Sequence, residues 1–101
     1  MSAIRFEWDE AKNLSNQRKH GISFEDASEV FRDLLFVSLK ERVQDGEQRW
    51  QTYGEVDGYL LMVAHTVQEE VKHDTTVEVI RMISARNASR KERQRYEDEN
   101  G

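Results

Sequence analysis

The sequence predicts an α+β domain, a small antiparallel sheet of four to five strands packed with two N-terminal helices and a basic C-terminal helix. Three observations lead there. Behind the capping residues Asp9 and Ser23, apolar residues recur at helical spacing; from Leu34 to Ser84 the period changes to two, with Val, Leu, Tyr and Thr enriched. Ser89, with Glu92 three residues on, then opens a strongly charged helical segment. At 101 residues the chain has the length of one domain, 1–101, with room for one core. A chain of that size buries roughly 65% of its unfolded surface, so neither a disulfide nor a structural metal is needed for stability.

Ile4 to Trp8 alternates weakly and is expected to be a short opening strand. Asp9 caps a mostly polar helix that ends at Gly21, with Ala11 and Leu14 as a narrow apolar stripe and Lys12, Gln17, Arg18 and Lys19 facing outward. The second helix starts at Ser23, whose side chain can cap the N–H of Asp26, and packs Phe24, Ala27, Val30 and Phe31 on the core. Strands are expected at Leu34 to Leu39, Arg49 to Val56, Tyr59 to Thr66 and Thr76 to Ser84. Asp57-Gly58 makes a tight hairpin between the second and third of these. The last is apolar on both faces near its end, as a central strand would be, with Arg81 interrupting the row of Val77, Val79 and Ile83. A guanidinium there must either meet a carboxylate or line a cleft. The closing helix is too polar for a core, and its last few residues are expected to fray.

Composition narrows the function classes. The absence of cysteine rules out disulfides and thiol chemistry and fits a reducing, cytoplasmic setting. Met1 to Glu10 lacks the apolar core of a secretion signal, and the longest apolar run, Tyr59 to Ala64, is far too short to span a bilayer, so neither export nor a membrane is expected. No HExxH, EF-hand, GxGxxG or P-loop pattern occurs, leaving metal and nucleotide sites without support. The net charge of -5 is unevenly spread. Residues 21–80 hold thirteen acidic and five basic groups, whereas residues 81–96 hold six basic groups against Glu92 alone. Screening over about 8 Å lets such a local basic site hold a polyanion on an acidic protein, although long-range steering would be poor.

Arg81, Arg86 and the helix bearing Arg90, Lys91, Arg93, Arg95 and Tyr96 are therefore the candidate functional surface. Guanidinium groups bind phosphate oxygens in pairs, and the helix start at Ser89 adds oriented N–H donors. A solvated helix face is the plainer account of the charge run taken alone. His20, His65 and His73 are widely spaced, and a core or solvated position is the plainer account of each. His65 shares a strand face with Tyr59, Leu61 and Val63, and imidazole titrates within reach of acid–base work.

Two blocks of residues allow a comparison. Phe6 to Asp9, Arg18 to Ile22, Ser23 to Ala27 and Val30-Phe31 at the start, with Arg81 to Arg86, Ala88 to Arg93 and Tyr96 at the end, resemble the BrnT toxin family. The resemblance implies a RelE-like fold and a bacterial toxin of a type II toxin–antitoxin system. It implies further a ribonuclease that inhibits translation, needs no cofactor and is neutralised by a BrnA-like antitoxin. By position, Arg81 and Arg86 would bind and stabilise the phosphate, His65 would be the base, and Tyr96 would donate a proton or stack a base. Arg49, Lys19, Arg90, Lys91 and Arg93 would contact RNA. Glu25, Asp26, Glu29 and Asp33 are offered as an antitoxin surface. RNA cleavage by an internal 2′-hydroxyl needs a base and fixed cations and no metal. The toxin is expected to be a monomer alone and a heterotetramer with antitoxin, meeting operator DNA only through the antitoxin. Two other readings stand beside this one. In the first, a catalytically weak binding module acts with its antitoxin as a co-repressor. In the second, a DNA-gripping helix acts directly, although no groove-reading motif supports it.

Overall fold

The computed structural model describes residues 2–101, leaving Met1 outside the described residues. Its elements are β1 (Ser2–Glu7), α1 (Glu10–His20), α2 (Phe24–Ala27), a 3-10 helix (Ser28–Arg32), β2 (Val37–Gln44), β3 (Glu47–Val56), β4 (Tyr59–Lys72), β5 (Thr75–Asn87) and α3 (Arg90–Asn100). The five strands form one sheet in the order β1-β5-β4-β3-β2. The expected antiparallel sheet is corrected to a mixed one, because β1 pairs parallel with β5 while all other pairs are antiparallel. The middle of the sheet belongs to β4, with β5 beside it and still flanked on both edges.

Local chemistry accounts for the ends of the elements. Asp9 accepts the N–H groups of Ala11 and Lys12, and Gly21 closes α1 at a φ of 73°. Ser23 accepts the N–H of Asp26, as its position predicts, but the expected second helix lasts one turn and then tightens into the 3-10 helix. All three hairpins turn through two residues at positive φ: Asp45-Gly46, Asp57-Gly58 and His73-Asp74. Only the second was expected. The other two lie in polar sequence where the alternation fades, and so β2 and β4 run past Leu39 and Thr66; β2 also starts later than predicted, and β5 continues to Asn87. At the C-terminus α3 continues to Asn100, whose side chain donates to the Leu35 carbonyl at 3.1 Å.

The two sheet faces are covered differently. One face buries Leu61, Val63, Ile80, Met82 and Ala85 under Phe24, Ala27 and Val30 of α2 and the 3-10 helix. The other buries Tyr53, Leu60 and Met62 under Tyr96, the one buried residue of α3. On the first face Gly54 lets the 3-10 helix come close, because a Cβ there would stand 2.7 Å from the Val30 carbonyl oxygen.

The expected apolar stripe of α1 is not what docks it. Ala11 and Leu14 are exposed, and Asn13 and Asn16 are buried instead. The paired stretch of β1 ends at Glu7 opposite Arg81, leaving the next part of β5 without a strand neighbour on that side. Asn16 takes that place: its amide donates to the Ala85 carbonyl at 2.9 Å and accepts the Ala85 N–H at 3.1 Å. Asn13 accepts the Phe24 N–H at 2.8 Å, fixing α1 to α2. Buried backbone groups have to be satisfied, and two asparagines do this where apolar residues could not.

Candidate functional site

Strict alternation along β5 would set Arg81 and Arg86 on opposite faces, five residues apart. A bulge prevents this. Ala64 of β4 pairs with Ser84 and His65 pairs with Met82, so Ile83 is an extra residue and both arginines point to the face that α3 partly covers. Ser84, expected on the face of Met82, moves with them. The uncovered part of that face is polar. Glu7, Arg81 and Thr66 lie in cross-strand register, and Arg49 stands one position beyond the Trp50–His65 pair, opposite Thr66. Gln51, Ala64 and Ser84 form the next row, and Tyr53, Met62 and Arg86 the row after that.

The first row is under-satisfied. Arg49 Nε and Thr66 Oγ1 are buried with no hydrogen-bond partner among the described residues. Arg49 joins none of the ion pairs formed by the described residues. Arg81 reaches Glu7 only at 3.5 Å, with both side chains nearly half exposed, a geometry that leaves its charge available. A small cleft lined by Glu7, Glu47, Thr66, Gln68, Val79 and Arg81 lies over the Arg81 end of this row.

At the other end of the face Arg86 is engaged. It donates to both Glu92 oxygens, at 2.7 and 2.9 Å. Glu92 also accepts the Ser89 N–H, completing the predicted capping box, and lies 3.1 Å from the Tyr53 hydroxyl. The Arg86 hydrogen bond and charge, helped by Ser89 and Tyr53, hold the Glu92 carboxyl down at about 2 against its burial. Burial and the Glu92 charge push the Tyr53 hydroxyl up to about 12, so it stays protonated.

The remaining candidates are scattered. His65 lies on the opposite face from Arg81 and is 2% exposed. Its Nδ1 is 3.3 Å from the Thr66 carbonyl, which can only accept, so Nε2 accepts from Thr52 at 2.6 Å, and Thr52 in turn contacts Ser38 at 2.7 Å. Burial pushes the imidazole down to about 4, and Phe31 stands edge-on at 5.1 Å. Tyr96 is buried and donates to Asp33 at 2.6 Å. Burial and this bond raise its pKa. Lys19 lines a cleft with Lys12 over Ile83 and Ser84, at the bulge. Arg90, Lys91 and Arg93 are exposed on α3. Of the acidic set, Glu25 accepts from Asn13 at 2.8 Å, and Glu29 pairs with Arg32 at 3.5 Å. Asp26 is exposed, while Asp33 accepts from Leu35, Glu55 and Tyr96. Thr66, Gln51, Tyr53 and Glu92 were not singled out from sequence as parts of the site. Period two does place Gln51 and Tyr53 on the face of Arg49, but it carries no sign of the cross-strand register.

No group of three or more His, Asp or Glu among the described residues is placed to hold a metal ion. No helix among them is long and apolar enough to cross a membrane. A sequence model of the family described as "ribonuclease toxin, BrnT, of type II toxin-antitoxin system" matches residues 8–92. The chain belongs to the BrnT family. The match spans α1 to the first turn of α3 and includes Arg49, Thr66, Arg81, Arg86 and Glu92. No curated protein matches the chain. Membership makes this BrnT chain a ribonuclease-family toxin and implies a protein antitoxin as its partner.

Proposed function

We propose that this BrnT chain is a single-domain, metal-independent endoribonuclease working in the cytoplasm, with RNA bound on the sheet face that carries Arg49, Thr66 and Arg81. The observation that supports this most is the pair of buried, unpartnered polar atoms, Arg49 Nε and Thr66 Oγ1, beside the weakly paired Arg81. Buried polar groups without partners are costly, and a phosphodiester laid across this row would place two guanidinium groups on its oxygens and, once the side chains turn toward it, satisfy both atoms.

In this reading Arg49 and Arg81 stabilise the charge that develops on the phosphoryl oxygens as the adjacent 2′-hydroxyl attacks, Thr66 donates to a non-bridging oxygen, and the 5′-oxygen leaves with a proton taken from solvent. Glu92 is the carboxylate this face offers to the 2′-hydroxyl proton. Its low pKa makes it a weak base, so charge stabilisation carries more of the acceleration than proton transfer. Arg86 and Tyr53 hold Glu92, while Lys19, Arg90, Lys91 and Arg93 extend the basic margin. His65, behind the sheet, and Tyr96, held by Asp33, serve the fold. Inhibition of translation, neutralisation by a BrnA-like antitoxin, a heterotetrameric complex that reaches operator DNA through the antitoxin and kinship with the RelE-like fold complete the proposal.

The test is cleavage of a 5′-labelled RNA by the purified chain in EDTA between about pH 5 and 9, beside folded Arg81→Ala. Fragments ending in a cyclic or 3′-phosphate, lost in the variant, support the reading. Because Glu7 and Glu92 already face Arg81 and Arg86 and the net charge is -5, a folded chain that cuts nothing would favour the co-repressor module instead.

A further inference from the structure

The sheet face that carries α2 and the 3-10 helix is only partly covered. Beyond Phe31 it continues as an open cleft lined by Ile4, Phe36, Trp50, Val67 and Ile80, with Glu78 at its margin. Beside it the chain presents three consecutive exposed apolar residues, Leu34, Leu35 and Phe36, and Leu34 is 99% exposed. Such a run on a surface has a cost in solubility that a folded chain normally avoids unless something binds there.

The charges around the cleft identify the occupant. Glu78 stands directly opposite Glu69 in the β4–β5 register, and neither joins an ion pair among the described residues. Like charges directly opposite destabilise a sheet. At the other margin Lys40 lies over the Trp50 ring at 5.9 Å. A second copy of this chain could meet Glu69 and Glu78 with its basic α3, but Tyr96, the apolar residue of that helix, is already buried in its own chain, so the helix could not also cover the apolar strip. An RNA backbone or an anionic bilayer would be repelled by the two glutamates. An amphipathic protein segment with basic residues would relieve the repulsion and cover the apolar strip together.

We infer that this cleft, with Leu34–Phe36 and the Glu69–Glu78 pair, is the docking surface for an amphipathic, basic segment of the antitoxin. The inference rests on the family's implied antitoxin partner. The docked segment sits on the opposite face from Arg49, Thr66 and Arg81, so docking and RNA cleavage separate by mutation.

The experiment is titration of the partner antitoxin into the purified chain, comparing wild type with Glu69→Gln/Glu78→Gln and with Leu34→Asp. Each variant is expected to weaken binding by about tenfold or more, with RNA cleavage unchanged. The paired Gln variant should also melt no lower than wild type, since it removes a like-charge pair, and Leu34 has no packing to lose. Raising salt should weaken wild type more than the Gln variant. Binding within about twofold of wild type in both variants would overturn the inference, and so would loss of binding in Arg81→Ala with these variants unaffected. An antitoxin that fails to bind wild type would overturn it too. The RNA assay on the same wild-type protein decides the nuclease reading independently.

Discussion

Arg86 and Glu92 meet through two hydrogen bonds of 2.7 and 2.9 Å, joining the end of β5 to the first turn of α3. The same carboxylate caps the helix through Ser89. Glu92→Gln keeps the shape but loses the charge, and is expected to cost about 2 kcal/mol, from the weakened cap and the unpaired guanidinium. For a domain of this size that lowers the melting temperature by about 10 °C, which calorimetry would read. The Glu92 pKa falls from 4.5 unfolded to about 2 folded, so its contribution is present above pH 4.5 and lost as pH falls toward 2. Denaturant unfolding in that window should show a shallower pH slope in Glu92→Gln.

His65 titrates in a higher window with the same sign. Its folded pKa of about 4 is below the ordinary 6.5, so the unfolded chain binds the proton more readily. Stability is complete above pH 6.5 and falls by up to about 3 kcal/mol as pH drops through 4. Unfolding curves from pH 7 to 4 should lose this slope in His65→Gln. RNA cleavage by the folded variant should stay within about threefold of wild type, because the imidazole lies behind the sheet; a far larger loss would restore it as the base.

Asp33 accepts from Tyr96, Leu35 and Glu55. Burial would raise its carboxyl, but bonds from Tyr96, Glu55 and Leu35 outweigh that and hold its pKa below the ordinary value. Tyr96→Phe removes one of the three donors and is expected to cost about 1–2 kcal/mol with cleavage intact. Loss of cleavage at unchanged melting temperature would instead make Tyr96 a proton donor in the reaction.

Thr66 offers a sharper separation of stability from activity. Thr66→Val replaces a buried hydroxyl that has no partner among the described residues with a methyl group, so the protein should be as stable or about 1 kcal/mol more stable. Cleavage should nevertheless fall, by about tenfold, for the lost donor to phosphate.

Gly54→Ala should be severe. Its Cβ would stand 2.7 Å from the Val30 carbonyl oxygen and 2.8 Å from Val30 Cγ1, neither of which can swing away. A loss of about 2 kcal/mol or more, read by urea unfolding, is expected.

The features legible in the sequence are those made by neighbours in the chain. Asp9 to Ala11, Ser23 to Asp26, Ser89 to Glu92 and the Asp57-Gly58 turn each span a few residues, and their side-chain chemistry specifies one local geometry. The docking of α1 was not legible, because Asn13 and Asn16 read as surface residues until the open edge of β5 is seen. The weak opening strand was placed, but nothing local showed that it would lie parallel to a strand 74 residues away.

From sequence alone the chain determined its α+β class, the caps of its helices and the arginines at its C-terminal end, and the BrnT resemblance rested on the same local blocks. Only the tertiary structure decided which of those residues share a surface. The extra residue at Ile83 brings Arg81 and Arg86 to one face, the register places Thr66 between Arg49 and Arg81, and His65 is turned to the other side. Side-chain period along a strand is two, so one inserted residue reverses every position beyond it, and a cross-strand neighbour is set by pairing that no local stretch encodes.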